Sequence, residues 1–159
     1  MQPPPPLDPA TRVDRLCQPL LRIVDAEPAG FSTLRAAPAG ERAWQGSSVP
    51  EGFYACEVDG PSHPGAQYVC RGNRVAGGGA GLLVDEFDRI AGDLDACLAR
   101  SEWFPRNWQR GDVMQFAGGE RQLLWRDVAP DPRPAIALKI EETINSRVYF
   151  LRLAVFTLF

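Results

Sequence analysis

The chain has 159 residues, 45% hydrophobic and 23% charged, which is the size and composition of one ordinary globular domain and excludes a disordered or collagen-like polymer. Seventeen basic against twenty acidic residues give a net charge of −3 with no block of like charges, so nucleic acid is not an expected partner. No run reaches the roughly 18 to 20 apolar residues needed to cross a bilayer, and the most apolar one, 148–159, is interrupted by Arg152.

Residues 1–8 are dominated by proline and predict a mobile, extended arm ahead of a single domain over 9–159. The arm has neither the charged nor the apolar segment of a signal peptide, so the expected location is the cytosol, or the periplasm or exterior if a signal was removed. Asp8-Pro9 reads as a helix cap followed by proline at the first helical position. Val13, Leu16, Cys17, Leu20, Leu21 and Val24 then share one helical stripe. Pro19 lies inside that stripe, which predicts a bent or restarted helix over 9–26, ended by Pro28 and Gly30.

Weak strands are expected over 31–37 and 42–45, on either side of a Pro38-Ala39-Gly40 turn. Better strands, 53–59 and 66–71, flank a loop dense in glycine and proline. A hairpin centred on His63 sets Cys56 opposite Cys70 and Val58 opposite Tyr68. Directly opposed residues in an antiparallel pair lie about 4.5 to 5.5 Å apart at Cα, within disulfide range. The prediction is a Cys56–Cys70 bridge, with a reduced, buried pair as the alternative.

Gly77, Gly78, Gly79 and Gly81 lead into a second predicted helix over 80–100, where Leu83, Phe87, Ile90, Leu94, Cys97 and Leu98 recur at helical spacing. Asp85, Glu86, Asp88, Asp93 and Asp95 read as its solvated face. Strands follow over 113–117 and 120–128 around Gly118-Gly119, and over 135–143 and 147–159 around Asn145-Ser146. The last hairpin sets Ile136 opposite Val155, Leu138 opposite Leu153 and Ile140 opposite Leu151, all on one face. The expected fold class is therefore α+β, an antiparallel sheet of six to eight strands with two helices packed on one face. Side-by-side helices would let Cys17 meet Cys97 as a second bridge; two small buried hydrophobes are the other reading.

Candidate chemistry is thin. The cysteines form no C-x-x-C, so neither a metal site nor a cofactor is expected. His63, the sole histidine, reads as an exposed loop residue, and no serine lies in a G-x-S-x-G elbow. The glycines at 77–81 match no phosphate-binding pattern and precede acidic residues. Glu141-Glu142 adjoins a turn, where charge serves solubility, and no catalytic residue is assigned.

Two features exceed what a bland core needs. The final strand is apolar on its second face too, with Val148, Phe150, Ala154, Phe156 and Leu158, so that face is either covered by the N-terminal region or docks a partner or a second copy. Trp103 and Trp108 alternate with Arg106 and Arg110, a composition enriched at binding hot spots and equally what an ordinary helix-to-strand connection uses to cover a core. The candidate partner-binding residues are Trp103, Trp108, Phe150, Phe156 and Leu158.

Cys56-x-Val58, Tyr68-x-Cys70, Phe87-Asp88 and Leu94-x-x-Cys97-Leu98 resemble a loose group of uncharacterised exported bacterial proteins with paired cysteines, over residues 16–98. That resemblance implies an oxidising compartment and no activity. By order of elements alone the chain is also similar to type III secretion chaperones, cytosolic dimers against which paired cysteines count. The expected function is a non-catalytic, periplasmic or secreted module that binds another protein or itself. The alternatives are a ligand-binding or hydrolytic protein using His63 or the glycine loop, and a cytosolic chaperone-like or immunity-type binder.

Overall fold

The computed structural model describes residues 5–76, 80–100, 102–104, 106–116, 120–130, 132–143 and 148–159. Helix α1 (Pro9–Ala26) starts where Asp8, extended, accepts the Thr11 N–H at 3.0 Å, with Pro9 in the first turn. It runs through Pro19 as one element, and no restart occurs near Gln18. Pro19 has no N–H to offer the Arg15 carbonyl four residues back. The backbone N–H of Glu51 takes that carbonyl instead, at 3.2 Å, and the Ser48 hydroxyl donates to the Pro19 carbonyl at 3.1 Å. The residue expected to break the helix thus seats the loop that crosses it.

Gly30, left-handed at φ 63°, closes a short 3-10 turn (Glu27–Ala29) after α1. A Cβ there would meet the backbone nitrogen of His63 at 2.8 Å, so the close approach of the 60–65 loop also requires glycine. The strand expected over 31–37 is shifted, because Ser32–Leu34 form a second 3-10 turn capped by left-handed Phe31, and β1 is Arg35–Gly40. Pro38-Ala39-Gly40 therefore lies in a strand rather than a turn. An outer edge tolerates proline because no neighbour needs its missing N–H.

The remaining elements are β2 (Ala43–Gly46), β3 (Phe53–Asp59), β4 (Gln67–Ala76), α2 (Ala80–Leu98), β5 (Trp108–Arg110), β6 (Met114–Gln115), β7 (Arg121–Asp127), β8 (Arg133–Glu142) and β9 (Val148–Leu158). Among the described residues nine strands join one antiparallel sheet in the order β1-β2-β3-β4-β9-β8-β7-β5, with β6 also on β7. That exceeds the six to eight expected. The addition is β5, three residues with no apolar alternation to mark them. The turn dipeptides Gly118-Gly119 and Asn145-Ser146 lie outside the described residues.

Both hairpin registers match the spacing argument. Cys56 faces Cys70 and Val58 faces Tyr68, while Ile136, Leu138 and Ile140 face Val155, Leu153 and Leu151. Strand β9 inserts beside β4, so two continuous rows cross the sheet: Val58, Tyr68, Val155, Ile136 and Trp125, and Cys56, Cys70, Leu153, Leu138 and Leu123. Both rows are buried in one cluster with Leu16 and Leu20 of α1 and Phe87 and Leu94 of α2. Disulfides join Cys17 to Cys97, tying the helices at a Cα separation of 5.5 Å, and Cys56 to Cys70 across β3 and β4 at 4.0 Å. Among the described residues no helix is long and apolar enough to cross a membrane.

The acidic side of α2 is only in part the solvated face its spacing implied, since Asp85 and Asp88 are exposed while other acids of the set are tied to distant side chains. Asp93 is buried and takes a two-pronged contact from Arg12 at 2.7 and 2.9 Å. Asp95 accepts the Trp125 indole N–H at 2.9 Å, and Asp88 accepts from Arg121 at 3.0 Å. Helical periodicity separates apolar from polar positions, but it does not distinguish water from an arginine on a distant strand.

Candidate functional site

Residues that alternate with the two core rows lie on the opposite side of the same strands. At the centre Val69, Ala135, Ala137 and Ala154 are buried, and around them Leu124, Phe150, Phe156 and Leu158 are half-buried. Arg71, Arg152 and Lys139 stand directly opposite one another on β4, β9 and β8. Like charges set side by side across strands are unfavourable, so this row is a cost that the core does not explain. Arg71 reaches Glu57 at 3.8 Å and Arg152 reaches Glu141 at 3.5 Å, with Lys139 beyond them. The register joins residues far apart in the chain, and nothing in their local sequence signals the row.

At one end of this face β4 is irregular. Arg71 pairs with Arg152 but Arg74 pairs with Phe150, so three steps on β4 match two on β9. The extra residue puts Arg71 and Arg74 on the same side, where strict alternation would separate them. Gly72 occupies the bulge because a Cβ there would lie 3.0 Å from the Gly52 carbonyl oxygen and 3.2 Å from Leu151 Cβ. Asn73 donates to both Glu86 carboxylate oxygens, at 2.9 and 2.8 Å, and accepts from the Tyr54 hydroxyl. Tyr54 is thereby held beside a cavity of about 450 Å³ whose walls include Arg71, Arg74 and Phe150.

Of the candidate binding residues, Phe150, Phe156 and Leu158 share this face. Trp103 and Trp108 do not join them. Trp103 lies under the Arg100 guanidinium, 5.0 Å from its ring centre, and is packed partly against the core. Trp108 pairs with Asp127, on the Trp125 side of β7, and its indole N–H is buried without an acceptor among the described residues. Trp103 and Trp108 thus lie on the other side of the sheet from Phe150, Phe156 and Leu158, partly packed against the core.

His63 is not an exposed loop residue. Its side chain is 26% exposed, and Nε2 lies 3.2 Å from the carboxylate of Glu27, itself 3% exposed. Glu27 also accepts from the Thr157 hydroxyl, which ties the end of α1 to β9. Arg35 completes the corner by donating to the carbonyls of Gly30 and Gly60 at 2.9 and 2.8 Å. Glu27 had no signal in the sequence, since a carboxylate at a helix end reads as solvated. Among the described residues no serine is hydrogen-bonded to His63, and no group of three acidic, cysteine or histidine residues could hold a metal. Gly77, Gly78 and Gly79 lie outside the described residues.

A second groove of about 470 Å³ runs between α1, the 49–52 loop and the start of β3, where Arg15 and Arg22 face Glu51 and Glu86. Its charges balance internally, unlike those of the sheet face. No protein-family model, no curated protein and no solved structure matches the chain.

Proposed function

We propose that this protein is a non-catalytic module of the periplasm or the extracellular space that binds an acidic protein through the sheet face carrying Phe150, Arg152 and Phe156. The two disulfides support an oxidising compartment, because such bonds persist where thiols are not kept reduced. The observation that carries the docking surface is the row of Arg71, Arg152 and Lys139 across three adjacent strands. An acidic partner would convert that row from a cost into an attraction.

In this reading both helices cover the Tyr68 and Leu153 side, leaving the other side to the partner. The apolar centre supplies contact area and the cations form a charged surround, the usual division of labour in a protein interface. By register the face carries Arg71, Arg74, Arg126, Lys139 and Arg152 against Glu57, Asp59 and Glu141. A two-fold contact between identical copies would set this surplus against itself, which favours a different, acidic molecule.

A photo-crosslinking residue at Phe156, compared with one at exposed Asp25 of α1, tests the proposal in the exporting cell. The expected result is an adduct with an acidic protein from position 156 alone, lost on Lys139→Glu and weakened by salt. A monomer by light scattering that gives no adduct from position 156 would overturn the reading.

A further inference from the structure

We infer that the cavity at the β4 bulge is a carboxylate-binding pocket, taking an acid group carried next to an apolar one, as at the free C-terminus of a peptide ending in an apolar residue. This rests on the sheet face being the docking surface and names what that surface reads.

The charge in the pocket is not spent within the protein. Arg74 is exposed and has no ion-pair partner among the described residues. Arg71 holds Glu57 only at 3.8 Å, with its own side chain 59% exposed. Two guanidinium groups on one side of a strand match the two oxygens of a carboxylate, whose hydrogen bonds to arginine are charge-assisted and can be paired.

The backbone of the pocket is crowded on one side, while the side chains that would meet a ligand stay open to it. Gly72 leaves no comfortable room for a side chain at the bulge, where a Cβ would meet the Gly52 carbonyl oxygen at 3.0 Å and Leu151 Cβ at 3.2 Å. The relay from Glu86 through Asn73 holds the Tyr54 hydroxyl from outside the pocket. Tyr54 and Phe150 then present aromatic surface within a cavity of about 450 Å³, in the range that holds a small ligand or one peptide terminus. Glu57 and Glu141 flank the arginines, which suits a singly charged group better than a polyanion such as a nucleic acid.

The test uses the full oxidised chain and three probes: a labelled peptide with a free C-terminal carboxylate after an apolar residue, the same peptide amidated, and hexanoate. The free acid is expected to bind at least tenfold more tightly than the amide. Arg71→Gln and Arg74→Gln should each weaken it at least tenfold, while Arg42→Gln, in the β1–β2 turn, leaves it unchanged. Competition by hexanoate supports the pocket and shows that a free small acid suffices as the source of the carboxylate. Equal binding of acid and amide, no binding of either acid, or displacement of the peptide by a single-stranded oligonucleotide would overturn the inference. Matching melting midpoints for the variants exclude misfolding as the cause. If the Phe156 adduct survives Arg74→Gln while the acid and amide remain indistinguishable, only the pocket falls and the docking face stands.

Discussion

The hydroxyl of Tyr68 is buried against Ser48, donating to its carbonyl at 2.5 Å and accepting its N–H at 2.9 Å, and burial pushes the phenol above its ordinary pKa. Tyr68→Phe strands both backbone groups of Ser48 and is expected to cost about 1 to 3 kcal/mol in urea unfolding. Asp8 gives a pH prediction. Its bonds from the Thr11 N–H and hydroxyl hold the carboxyl below the usual range. The stabilisation is therefore complete above the unfolded-state value and is lost as pH falls through the lower folded-state value. Asp8→Asn keeps a capping oxygen but cannot titrate, so its melting midpoint should vary less with pH than that of the parent below about pH 4. This cap was legible because both partners are neighbours in the chain. Glu27 was not, because its partners His63 and Thr157 come from a distant loop and strand.

Hairpins were the most readable elements. Cys56 opposite Cys70 and Ile136 opposite Val155 follow from symmetry about a turn, which needs no knowledge of the rest of the sheet. The β4 bulge lacked that advantage. The expected strand stopped at residue 71, because Gly72 and Asn73 look like breakers, whereas β4 runs to Ala76 on its pairing with β9. Gly72→Ala is expected to cost about 1 to 3 kcal/mol, since the added carbon meets backbone on one side and Leu151 on the other. Hydrogen exchange should report the loss locally, as faster exchange along β4 and β9. The proposed docking face was half legible: the second apolar face of β9 was visible, but the cationic row needed the positions of β4 and β8 beside it.

Across the whole molecule the two disulfides differ in reach, with sequence separations of 80 for Cys17–Cys97 and 14 for Cys56–Cys70. Chain-entropy scaling gives about 4.5 kcal/mol for the longer closure and about 3 kcal/mol for the shorter. Replacing Cys17 and Cys97 by alanine should therefore lower unfolding free energy by more than replacing Cys56 and Cys70. Intact mass before and after reduction, with peptide mapping, checks that both bridges exist as paired here. The placement of β9 adds a matter of timing. It lies between β4 and β8, so the first four strands and the later ones become one sheet only when it arrives. Every cysteine precedes it by a long stretch of chain, and both cross-links can close while β4 still presents a bare edge. Oxidation can thus be finished before the architecture is, and until β9 arrives the unpaired edge of β4 is the open template of the unfinished chain.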